Sequence, residues 1–102
     1  MTNTNKIAND LGNAYEALGI TASTVANAVT LYNITHDEEV YKRVQVTQSN
    51  LELRQETLRD AFYNLFIAHG IEYTKARDMA KCAADSATHT LLNKAYSEIT
   101  IA

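Results

Sequence analysis

Cys82, Asp85 and His89 stand at i, i+3 and i+7. On a helix that spacing puts a thiol, a carboxylate and an imidazole on one face. Such groups are the material of nucleophilic catalysis or of a zinc site. Neither chemistry follows from them here. Residues seven apart lie roughly 10 Å apart along a helix, beyond hydrogen-bond reach for a nucleophile and its base. Asp85 and His89 at i, i+4 supply only two metal ligands, and no second His or Cys pair lies close in sequence. Cys82 reads as a small apolar residue beside a run of Ala. His36 and His69 fall at the two ends of a long helical segment, where imidazoles cap or hydrogen-bond. There is no phosphate-binding Gly-rich loop, no zincin-type His pair and no nucleophile elbow. The expectation is a non-enzyme with no catalytic residue, no cofactor and no metal.

The elements that would carry these groups are helices. The chain has no Pro and three Gly among 102 residues, which suits long helices and disfavours turn-rich β architectures. The dominant segment runs from Thr35 to Gly70. Thr35-His36-Asp37-Glu38 has capping-box spacing, Asp37, Glu38 and Glu39 favour a helix start, and Lys42 and Arg43 follow at i+4. Gly70 followed by Ile71 predicts a Schellman-type stop. Between them Val40, Val44, Thr47, Leu51, Leu58, Phe62 and Leu65 keep helical spacing, over roughly 50 Å of helix. Thr47-Gln48-Ser49-Asn50 is the weak point, since Ser49 with Glu52 can cap a new helix. Continuity is expected, because no Gly or Pro interrupts.

Before this segment two shorter helices are predicted. The first is capped by Thr4 or Asn5, carries Ile7, Leu11, Ala14 or Tyr15 and Leu18, and ends at Gly19. The second is capped by Thr21 or Ser23 and carries Val25, Ala28, Val29 and Tyr32. A last helix is predicted from Glu72 to Glu98, with a seam of Ala76, Ala80, Ala83, Ala87, Leu91 and Ala95 lying antiparallel against the long one. The tail Ile99-Thr100-Ile101-Ala102 alternates like a strand. Shifted by 51 residues, Asn13, Ala17, Gly19 and Ile20 fall on Asn64, Ala68, Gly70 and Ile71. This echo suggests two helical hairpins, 1–36 and the longer 37–102, in a single all-α, four-helix domain.

Apolar residues make up 46% of the chain, but fifteen of them are Ala. Large core-forming side chains are therefore few, and self-association is the natural remedy. The net charge is −3 with no basic block, so neither nucleic acid nor an anionic membrane is an expected partner. No run approaches a membrane span, and the N-terminus lacks a signal pattern. With a lone Cys82, the expected location is cytoplasmic, where the Asn33-Ile34-Thr35 sequon stays unglycosylated.

Tyr15 to Val29, YEALGITASTVANAV, resembles a helix-turn-helix of the lac-repressor kind, with Gly19 in the turn, Val25 six residues later and Thr24-Val25 starting the recognition helix. The resemblance implies a DNA-binding regulator in which Thr21, Ala22, Ser23, Thr24 and Asn27 face DNA. It covers about fifteen residues. The main expectation lies elsewhere, in a small helical interaction protein that binds a protein partner as a regulator, inhibitor or assembly component and forms a homodimer or higher homo-oligomer. Abundant Asn and Thr on a motif-poor chain suit a phage-encoded accessory protein. The expected interface follows the long helix through Tyr41, Val44, Gln48, Leu51, Gln55 and Leu58, in coiled-coil fashion, with Tyr63, Tyr73 and Tyr96 beside it. Gln in such a seam fixes register, and Tyr is frequent at interfaces. A third reading, an oligomer with small-ligand or nucleotide sites between subunits, needs only Tyr with Lys or Arg at an interface.

Overall fold

The computed structural model describes residues 2–99, with side chains from residue 5 to residue 99. Three helices account for nearly all of it: α1 (Thr2–Thr35), α2 (Glu38–Ala68) and α3 (Tyr73–Ser97). They form an up-down-up bundle in which every helix packs on both others, with overall dimensions of 50 × 23 × 18 Å.

The expected break at Gly19 does not occur, so the four-helix, two-hairpin arrangement gives way to three helices, and the first 35 residues are one element. Thr4 and Asn5 lie within α1 and do not start it. The reason is tertiary. Leu18 and Ala22, on either side of Gly19, are fully buried, and Gly19 itself sits where α3 approaches, with Leu91 beside it. Thr21, read as a cap, instead donates its hydroxyl back to Ala17 O at 2.9 Å, and Thr24 does the same to Ile20 O at 3.1 Å. Threonine hydroxyls that bond one turn back satisfy themselves inside a helix and cap nothing. Packing thus overrides the roughly 1 kcal/mol that an interior Gly costs. With Gly19 helical and Gly70 at φ 82°, the sequence echo does not extend to structure.

The α2 cap lies two residues beyond its predicted position. Asp37 is the N-cap of α2, accepting from Glu39 N at 2.8 Å, while Thr35 still belongs to α1 and bonds Leu31 O. α1 ends because His36 adopts φ 51° and donates its N–H to Tyr32 O at 2.7 Å. This left-handed stop is one that Gly usually supplies. The His36 ring stands edge-on to Tyr32, and Tyr32 in turn meets Tyr41, so three rings close this tip of the bundle.

α2 is continuous through Thr47–Asn50, and the predicted Schellman stop is present: Ile71 N donates to Phe66 O and Gly70 N to Ile67 O. His69 Nδ1 lies 2.9 Å from Leu65 O. Glu72 then caps α3, accepting from Thr74 N and Lys75 N; these bonds hold its carboxyl below the ordinary glutamate range. Because this connection is only four residues long, α3 returns antiparallel to α2.

The core is built from small residues around a few large ones. Leu18 and Leu58 are the largest fully buried side chains, set among Ala14, Ala61 and Ala84, with Leu11, Leu51, Phe62, Ala87 and Leu91 around them. The α3 seam runs Ala76, Ala80, Ala84, Thr88 and Ala95. Ala83 and Ala87, read as seam residues, are only half-buried. Thr88 is tolerated in the core because its hydroxyl donates to Ala84 O. Among the described residues no helix is long and apolar enough to cross a membrane. Of the tail read as strand-like, Thr100–Ala102 lies outside the described residues.

Candidate functional site

The predicted interface stripe divides. Val44 and Leu58 belong to the chain's own core, at 7% and 0% exposure, so neither is available to a partner. Leu51 and Gln55 are half-buried. Gln55 lies at the α2–α3 boundary, where its Nε2 donates to Asp85 Oδ1 at 2.5 Å. Nor does α2 outrun its neighbours, since the unbroken α1 is longer than α2 and packs against it. Gln48 is exposed, Tyr63 half-buried. Tyr41 is exposed but leans on Tyr32, Tyr73 is exposed with the Arg77 guanidinium 5.9 Å from its ring centre, and Tyr96 is exposed near the end of α3. These residues do not converge. Tyr41 and Tyr73 lie at opposite ends of α2's span.

The residues of the helix-turn-helix resemblance lie on one uninterrupted helix. Ser23, Thr24 and Asn27 are exposed, Thr21 is half-buried and Ala22 is fully buried. The turn that would present a separate recognition helix is missing.

Cys82 is exposed and does not line the Ala seam. Asp85 on the same face is engaged by Gln55. Among the described residues no three His, Cys, Asp or Glu side chains come together as a metal-binding group. Two open grooves flank α2. One, about 400 Å³, lies against α3 between Glu52, Gln55, Glu56, Arg59, Lys81 and Asp85. The other, about 490 Å³, lies against α1 with Ala14, Ala17 and Ala61 as floor and Asp10, Asn13, Arg54 and Asn64 as rim. The first mixes both signs of charge, with Arg59 3.5 Å from Glu56, and the second is floored by methyl groups.

What the surface does offer is apolar. Ile20, Ile34, Val46, Leu53 and Tyr73 are each about 60% exposed. Val46 and Leu53 were missed because Val44, Leu51 and Leu58 carry the same seven-residue repeat two positions away, and that repeat is the one facing α1. The signal was present as a second, interleaved heptad through Val46, Leu53 and Ile67. The ion pairs beside it, Lys42–Glu39 and Arg59–Glu56, are exposed i, i+3 pairs worth little. Compared with protein families, curated proteins and solved structures, the chain matches none.

Proposed function

We propose that this is a non-enzymatic helical interaction protein, acting on a protein partner as a regulator, inhibitor or assembly component, and self-associating. The observation that carries the reading is the set of large apolar side chains left outside a bundle whose own core is largely alanine. A chain this short has few large side chains to place, and five of them are left about 60% exposed, where a partner can cover them. The two surfaces are separable. Ile20, Leu31 and Ile34 lie on α1, and Val46 and Leu53 on α2.

The test is affinity capture with the wild-type chain beside an Ile20→Lys/Ile34→Lys variant of unchanged helicity. A protein retained by the first and lost from the second supports the reading. Identical retained sets from both remove it. Calorimetry against a nucleotide panel separates it from the ligand-binding alternative, and a mobility shift at low salt from the DNA-binding one.

A further inference from the structure

On the outer surface of α2, Arg43, Val46, Asn50, Leu53, Thr57 and Asp60 alternate three and four residues apart and are all exposed. That spacing is a coiled-coil seam, and it lies outside the stripe that packs on α1 and α3. We propose that a second copy of this chain docks here, α2 against α2 and antiparallel, about a twofold axis level with the middle of Asn50–Leu53. The proposal deepens the self-association reading above and rests on it.

The charge pattern along the seam selects that occupant and that direction. The seam is charged at its two ends with opposite signs, Arg43 at one and Asp60 at the other, and among the described residues neither has an ion-pair partner in its own chain. A twofold that reverses the helix sets Arg43 opposite Asp60 of the second copy, twice. An in-register parallel pairing would set Arg43 on Arg43 and Asp60 on Asp60, which like-charge repulsion opposes. The same antiparallel register places the two Leu53 side chains roughly 4.5 Å apart along the axis, so they meet at its centre. Val46 then packs on the Thr57 methyl, and the flanking Arg54 and Glu56 meet no charge of their own sign.

The seam from Arg43 to Asp60 runs over roughly 26 Å of helix, about half of the bundle's 50 Å length. Thr57 belongs both to the seam and to the α1–α2 groove, so the second copy reaches onto α1 as well.

The experiment is sedimentation equilibrium of the full chain from micromolar to near-millimolar concentration, with circular dichroism as the check on folding. Four proteins are compared: wild type, Arg43→Glu, Asp60→Arg and the double exchange. Expected is a wild-type dimer, dimerisation weakened at least about tenfold in each single variant, and recovery in the double variant, since both pairs are then rebuilt with signs reversed. Leu53→Lys should leave a folded monomer. A wild-type dimer indifferent to the charge exchanges overturns the seam while self-association stands. A wild type that is monomeric throughout overturns self-association and the seam together.

Discussion

Gly19→Ala is the substitution whose sign separates the two ways of folding the first third of the chain. If Gly19 ended a helix in the left-handed region, as Gly70 does at φ 82°, an added Cβ would be strained and Ala would destabilise by about 1 kcal/mol or more. In the continuous α1 the added methyl has only one close neighbour, Leu91 Cδ2 at 3.7 Å, an ordinary van der Waals distance. Replacing an interior helical Gly by Ala is then worth about 0.8–1.0 kcal/mol, mostly by removing freedom from the unfolded chain. A small dispersion gain against Leu91 adds to it. For a domain of this size that corresponds to a rise in Tm of about 4 °C or a little more. The assay is thermal and urea unfolding followed at 222 nm, with Gly70→Ala as the opposite-sign control. Destabilisation of both variants would refute the unbroken helix and restore a turn at Gly19.

Three further outcomes follow from the packing, the caps and the titration. Leu58→Ala empties the centre of the Ala-rich core and should cost about 3 kcal/mol in urea unfolding, while Leu53→Ala, measured where the protein is monomeric, should stay within about 0.5 kcal/mol of wild type. Asp37→Ala should cost about 1 kcal/mol, because the Glu39 N–H loses its acceptor; Thr35→Ala should cost less, which inverts the order that a Thr35-led capping box demands. Glu72 has a carboxyl pKa lowered in the folded state by its bonds to Thr74 and Lys75. Its stabilisation is therefore full above the unfolded glutamate value, near pH 4 or somewhat higher, and is lost as pH falls toward the lowered folded one. The Tm gap between wild type and Glu72→Gln should accordingly close as the pH drops through that range; a gap independent of pH would mean the cap acts without its charge.

The long central helix was legible because its signals agreed. An acidic start, apolar residues at helical spacing from Val40 to Leu65 and a Gly-Ile stop all pointed to one element; Val40, Val44, Thr47 and Leu58 of that stripe are buried, Leu51, Phe62 and Leu65 half-buried, and Ala61 joins them. α3 was legible to within a residue at each end for the same reason. The N-terminal third was not, because Gly19-Ile20-Thr21 carries a stop signal that only tertiary contact cancels. Leu18 shares its core cluster with Leu58, Ala61 and Ala84, at least forty positions away, and no local pattern reports that. His36 was read at a helix end and lies at one, but its left-handed backbone was not legible. A left-handed residue is expected to be Gly or Asn, and here an imidazole leaning on Tyr32 holds the position.

The same ambiguity decided the candidate surface. Two apolar heptads share α2, one through Val44, Leu51 and Leu58 and one through Val46 and Leu53. Periodicity alone gives both an equal claim on a partner. Which of them remains outside depends on where α1 lies, and α1 lies along the full length of α2 only because Gly19 does not break it. A broken α1 would leave part of the Val44–Leu58 stripe to be covered by another molecule. An unbroken one buries that stripe and leaves outside the heptad that ends in Arg43 and Asp60. The conformation of a single glycine on the neighbouring helix therefore determines which face of α2 stays exposed.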